Sequence, residues 1–314
     1  MEMLGTPRVT DVDGTSIAWT EVGSGPPLVL LHGLADSHRT WRAVAPQLAS
    51  RFRVLMPDLP GHGLSGRPDA PYTLDWYAHT LGAWLDAANV ERAHVVGHSF
   101  GGGVAQWMLL NGRARVDRLV LVAAGGLGHE VSVGLRLASM PVLGRLLAQP
   151  LMGIGTQLMM RLTAGVWSEH EIARAAWMNG APGSGMAFHR TVAGVIDLFG
   201  QRVQTWERIG EIDLPPLSLF WGDRDPILPI HQALRAQRRL EGAVLTRYDG
   251  VGHFPHLEVP ERFATDVERF LAEPQPAARV RVFLPARPRK RGFFARFGAM
   301  LVKAFRAGRG GDRP

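Results

Sequence analysis

Apolar residues run along this chain in two rhythms. Short continuous runs, among them Leu28-Val29-Leu30-Leu31, Val54-Leu55-Met56, Leu119-Val120-Leu121-Val122 and Leu217-Ser218-Leu219-Phe220-Trp221, alternate with stretches of helical spacing such as Leu74, Tyr77, Leu81, Trp84, Leu85 and Ala88. A run of four or five apolar residues between turn signals reads as a strand buried on both faces, and a three-to-four-residue recurrence as a helix packed along one side. Their alternation predicts an α/β fold, a mostly parallel doubly wound sheet covered by helices on both faces. Residues 7–22 alternate around Asp13-Gly14 and predict a hairpin, and residues 38–50 fit a helix. A last helix is expected from Pro260, with Phe263, Val267, Phe270 and Leu271 inward.

The rhythm breaks at Gly125-Gly126, and residues 126–211 show helical spacing and no convincing strand before sheet-like runs return. This predicts a core of residues 1–125 and 212–272 carrying an inserted α-helical lid, residues 126–211. After Glu273-Pro274-Gln275-Pro276 a basic tail, residues 273–314, carries the cluster Arg287-Pro288-Arg289-Lys290-Arg291 and then Phe293, Phe294, Phe297, Met300, Leu301 and Phe305. Eleven of the 35 Lys and Arg and one of the 28 acids lie from Arg279 onward, leaving 24 basic and 27 acidic groups in the first 278 residues. The high isoelectric point therefore belongs to the tail, and nucleic acid is a poor expectation for the body. Aromatic residues among cations suit a helix lying on an anionic membrane surface, so the expected location is the cytoplasm with a peripheral membrane contact through the tail.

Length and composition narrow the chemistry. At 314 residues, 46% hydrophobic and 20% charged, the chain fits one large α/β domain with an insertion. It has no cysteine, which excludes disulfides, thiolate metal sites and thiol catalysis. Neither a secretory signal nor an unbroken apolar stretch of membrane-spanning length stands in the sequence. His32, His62, His94, His98 and His253 are scattered, without a His-x-x-x-His pair on a predicted helix, so neither a metal nor another cofactor is expected.

The most informative residues are Gly97-His98-Ser99-Phe100-Gly101, placed between a predicted strand and a predicted helix. In that context G-x-S-x-G is a sharp turn that lifts Ser99 above the sheet edge and leaves the Phe100 N–H at a helix N-terminus. A hydroxyl at such a place attacks an acyl carbon only with a base beside it and a group that orients the base. Gly222-Asp223-Arg224-Asp225 follows one late strand, and Gly250-Val251-Gly252-His253 follows the last one. The chain order is thus Ser, Asp, His.

With these motifs the chain resembles the α/β-hydrolase superfamily, specifically its lidded single-chain serine hydrolases, over roughly residues 7–272. The resemblance implies a triad of Ser99, Asp225 and His253, with Asp225 preferred over Asp223 by the family's G-x-x-D pattern. It implies oxyanion donors at Phe100 and, after His32-Gly33, at Leu34. Asp58 to Ser65 is read as a structural turn. Relatives that open epoxides or carbon–halogen bonds place aspartate where this chain has Ser99, so hydrolysis of an ester, thioester or lactone of an apolar small molecule is expected. C–C bond hydrolysis and cofactor-free perhydrolysis are open on the same triad, and a non-catalytic ligand-binding or membrane-tethered protein is the alternative of another class. His98, Trp167 and Trp177 are the candidate pocket residues for the acyl group.

Overall fold

The computed structural model describes residues 4–111, 115–162, 165–205, 208 and 213–280. The tail residues from Arg287 to Phe305, where the membrane-surface helix is expected, lie outside the described residues.

Eight strands form one sheet: β1 (Arg8–Val12), β2 (Thr15–Val22), β3 (Pro27–Leu31), β4 (Arg53–Pro57), β5 (Arg92–His98), β6 (Arg115–Val122), β9 (Leu217–Gly222) and β11 (Val244–Tyr248). Their spatial order is β1-β2-β4-β3-β5-β6-β9-β11. The β1–β2 hairpin joins the sheet antiparallel through β2 and β4, and every later pairing is parallel. The strands β3, β4 and β9 are near-continuously apolar and buried because helices cover both sides of the sheet. On one side α2 (Leu74–Ala87) and α3 (Phe100–Leu110) bury Tyr77, Trp84 and Val104 against Val29, Leu31 and Val95. On the other, α10 (Pro260–Ala272) packs Phe263 and Val267 with Leu28, Leu30, Val96 and Phe220.

The chain leaves β3 toward β4 on one side, and β5 pairs with β3 on the other. Brought together by this reversal, the carboxyl ends of β3 and β5 leave a crevice beyond the strand ends, the usual ligand position in open parallel sheets. The loops Gly33-Leu34 and Ser99-Phe100 emerge there.

Three local expectations need correction. Residues 38–50 are not one helix but a 3-10 helix, His38–Ala43, followed by the short α1, Ala45–Leu48. Pro46 cannot donate to a preceding carbonyl, so it stands in the first turn of a new helix. The insertion, α4 (Val133–Ala138), α5 (Leu143–Leu162), α6 (Glu169–Asn179) and α7 (Ser184–Val195), ends in a two-residue ladder between β7 (Ile196–Asp197) and β8 (Gly200–Gln201), a strand pair too short to show periodicity. The tail also begins later than expected. After α8 (His231–Arg239), β10 (Leu240–Glu241) pairs with β12 (Arg279–Val280), and Ala278 is buried. Among the described residues no helix is long and apolar enough to cross a membrane.

Candidate active site

Ser99 sits at φ 51° and ψ −115°, left-handed backbone that a side chain with a Cβ adopts only when its surroundings enforce it. The enforcement is visible in its backbone bonds. Its N–H donates to Val122 O at 2.9 Å, and its carbonyl accepts from Gly102 and Gly125 at 3.1 and 3.0 Å. The flanking glycines are required by packing: a Cβ on Gly101 would come within 2.5 Å of the Leu31 carbonyl oxygen, and one on Gly97 within 2.7 Å of Gly101 O. Phe100, at the first position of α3, has no acceptor for its N–H inside the helix. Its ring is wedged between Tyr77 and His62 at centroid distances of 5.0 and 6.4 Å.

The loop after β3 lies alongside. A Cβ on Gly33 would stand 3.3 Å from Ser99 Cβ. Buried His32 accepts the Leu59 N–H at Nε2 (2.9 Å), so its proton is on Nδ1 and is donated to Gly33 O at 2.7 Å. Burial drives the His32 pKa down to about 4, which keeps the ring in this neutral form. With the Gly33 carbonyl tied back to His32 and the peptide trans, the Leu34 N–H lies on the opposite edge of that peptide plane. Asn179, the last residue of α6, donates to Ala35 O at 2.6 Å and fixes the next turn.

The two carboxylates after β9 have different surroundings. Asp225 accepts the His253 Nδ1–H at 2.7 Å through one oxygen and the N–H groups of Ile227 and Leu228 at 2.8 and 2.9 Å through the other. Its side chain is fully buried and that of His253 nearly so. Asp223 instead takes Arg247 at 2.8 Å and the Gly250 N–H at 2.7 Å, and the Arg247 hydrogen bond holds its pKa below the usual carboxylate value. Because Nδ1 of His253 faces a carboxylate, Nε2 is the nitrogen left to accept a proton.

Two residues hold the His253 loop: Glu258, which no motif singles out, and His98, which was expected in the acyl pocket. Glu258, in the short α9 (Pro255–Glu258), accepts the N–H groups on either side of His253: Gly252 at 2.8 Å and Phe254 at 3.1 Å. His98, beside Ser99, donates from Nε2 to the His253 carbonyl at 2.9 Å. Burial, then the neighbouring His256 and His253, push the His98 pKa well below its ordinary value. Asn179 and Glu258 left no sequence signal, since neither lies in a motif and both act on backbone groups. The signal for His98 was its place next to Ser99.

Ser99 opens on a cavity lined by Leu34, Phe100, Trp107, Leu135, Ile196 and Leu228 among others, with Ser99, Gln201 and Thr205 as its polar side chains. Leu34 and Phe100 therefore lie where Ser99 lies, and the three expected pocket residues do not line this cavity. His98 is buried behind the elbow against His253 and His256. Trp167 packs edge-on to Phe254 and under the Arg42 guanidinium. Trp177 is 74% exposed on the outer side of α6, because that helix turns Ile172 and Ala176 inward instead. The cavity wall is supplied by Val131, Leu135, Val195 and Val203 around the insertion. Among the described residues no group of three or more His, Asp or Glu is arranged to hold a metal.

Comparison with known proteins agrees with this architecture. A protein of Mycobacterium tuberculosis without an assigned activity is 37% identical over 276 residues, covering 85% of this chain and 81% of that protein. A 2-hydroxymuconate semialdehyde hydrolase of Pseudomonas sp. (strain CF600) is 32% identical over 271 residues, covering 82% and 90%. An alpha/beta hydrolase fold protein from Burkholderia ambifaria superposes with a TM-score of 0.71 at 28% identity, covering 85% and 98%. The family model for the alpha/beta hydrolase fold matches residues 26–260, so the chain belongs to the alpha/beta hydrolase fold family.

Proposed function

We propose that this chain is a serine hydrolase that cleaves an ester-like bond of an uncharged apolar acyl compound through an acyl-Ser99 intermediate. The observation that supports it best is the buried Asp225–His253 pair, whose His253 carbonyl accepts a hydrogen bond from His98, the residue beside Ser99. In this reading His253 Nε2 takes the Ser99 proton as Oγ attacks the acyl carbon, and Asp225 stabilises the imidazolium that forms. The oxyanion is met by the Phe100 and Leu34 N–H groups, the first at a helix N-terminus and the second set by His32. His253 then protonates the departing alkoxide, and water repeats the sequence to release the acid.

The cavity supports the substrate class. Its lining is apolar apart from Ser99, Gln201 and Thr205, and Gln201 is occupied with the Gly126 N–H, Glu130 O and Gln232. A neutral acyl chain loses little on entering such a space, whereas an unpaired carboxylate would pay its full desolvation cost. C–C bond hydrolysis is the second reading, and the similarity to the 2-hydroxymuconate semialdehyde hydrolase favours it. That substrate class is acidic, and no lysine or arginine lines this cavity. Labelling by a fluorophosphonate probe, together with turnover of p-nitrophenyl esters against a ring-cleavage dienoate, tests both. An unlabelled protein that turns over no ester overturns the first reading.

A further inference from the structure

On α5 the apolar stripe faces outward. Leu151, Ile154, Leu158 and Leu162 recur at i, i+3, i+7 and i+11, one helical face, and the last three are 66%, 58% and 71% exposed. The opposite face, with Met152 and Thr156 buried, packs the helix onto its neighbours. Leu146, one turn before Pro150, continues the exposed set at 67%, and Trp177 stands out from α6, which packs against α5. A stripe this regular belongs against an apolar phase, and an exposed one of this extent marks an interaction site.

Charge selects the occupant. The 20 residues of α5 contain Arg145 and Arg161 and no acid. Over residues 133–179 there are four arginines and two glutamates, while the rest of the first 278 residues holds 20 basic and 25 acidic groups. Both glutamates are committed to arginines, Glu169 to Arg161 and Glu171 to Arg39. The inserted helices are therefore a basic, apolar face on an acidic body. A second copy of this face would meet it with like charge, whereas anionic headgroups complement it and the acyl region receives the leucines and the tryptophan.

We propose that the outer face of α5, with Trp177 beside it, docks on an anionic phospholipid bilayer. This contact is separate from the basic tail and does not depend on the chemistry at Ser99. The absence of cysteine allows a site-specific test on the full chain. An environment-sensitive fluorophore on Ile154→Cys should shift to the blue with phosphatidylcholine–phosphatidylglycerol vesicles, and the same fluorophore on exposed Val9→Cys should not. Replacing Leu151, Ile154 and Leu158 together with Ser should lower vesicle binding about tenfold or more. Replacing Phe293, Phe294 and Phe297 with Ser should leave the Ile154 shift in place. Because the three α5 positions are largely solvent-exposed, hydrolysis of a water-soluble ester should be unchanged in the Ser variant, which checks folding; its absence in every form would count against the hydrolase reading alone. An Ile154 probe blind to vesicles, or a Ser variant that binds as well as the parent, overturns the proposal. So does a dimer, seen by sedimentation without lipid, that the Ser variant dissolves.

Discussion

The loops at the carboxyl edge of the sheet and the helices inserted between β6 and β9 border the same cavity, yet they are held by different means. At the edge the groups around Ser99 are held by directed bonds: Asp225 bonds two backbone N–H groups and a ring, Glu258 brackets His253, and His32 ties back Gly33. The insertion rests on apolar packing with a few polar pins, among them Arg67 to Ser184 at 2.7 Å and Asn179 to Ala35. Directed bonds fix positions to fractions of an ångström, while apolar contact fixes only volume and tolerates sliding. Substitutions at the edge should therefore act on turnover, and substitutions in the insertion on substrate choice.

The sharpest break in that contrast is Ser99→Ala. It should lower kcat by about 10⁴-fold or more and abolish probe labelling while leaving the unfolding midpoint near the parent's, since only one oxygen is lost. Residual turnover at the parental rate would remove Ser99 from the chemistry. Next in size is the pair after β9. Asp225→Asn should cost roughly 10³–10⁴ in kcat by presenting the wrong partner to His253 Nδ1. Asp223→Asn, which loses only the contacts with Arg247 and Gly250, should stay within about threefold, a surface change. Comparable losses in the two would show that the preference for Asp225 is misplaced.

Acid should weaken the edge more than the insertion. His32, His62, His98 and His256 are all buried there, and burial lowers the pKa of each, to about 4 for His32 and about 3 for His62. Unfolded, each takes a proton near pH 6.5, so between that pH and the folded value the unfolded chain binds more protons and stability falls as the pH falls. His32 alone accounts for about 3 kcal/mol by pH 4. Asp36 acts in the opposite sense: burial raises it to about 6, so from there down to the ordinary carboxylate range it gains stability as the pH falls. One carboxylate cannot offset four histidines, and the urea midpoint should drop markedly between about pH 7 and about pH 4.5. Equal midpoints at the two values would mean that these rings are not held neutral by burial.

What could be read from the sequence follows the same division. The strands and the Ser99 elbow were legible because their signals are local: apolar runs bounded by turns, and two glycines that a Cβ could not replace. The paired positions of Asp225 and His253 were legible as residues on loops after late strands, although the 2.7 Å bond between them depends on the sheet bringing β9 beside β11. The pocket wall was not legible. Whether an inserted helix turns Leu135 or Leu137 toward the cavity depends on how it packs, and in α4, which has no buried residue, the apolar pattern points both ways. Trp177 shows the consequence, since a large aromatic at helical spacing proved to be surface. The bonds that hold the His253 loop were not legible for another reason: Glu258 and His98 bond to main-chain atoms, which any sequence supplies, so even the place of His98 beside Ser99 did not show its partner.

The smallest expected effect is also the one that tests the division most directly. Leu135 is the α4 residue lining the cavity, while Val133 and Leu137 on the same helix are exposed. Leu135→Ala removes apolar wall without touching a directed bond, so kcat on a short-chain ester should stay within about twofold. The space released should favour longer acyl chains, moving the kcat/KM preference toward them by about three- to tenfold through KM, the scale of one or two methylenes in an apolar pocket. Leu137→Ala, two residues on and on the outer side of the helix, should do neither. A Leu135→Ala protein whose kcat collapsed on every ester would show that α4 positions the reacting groups, and the separation between edge and insertion would not hold. Unchanged chain-length preference would instead place the acyl chain in another part of the cavity, away from the helix.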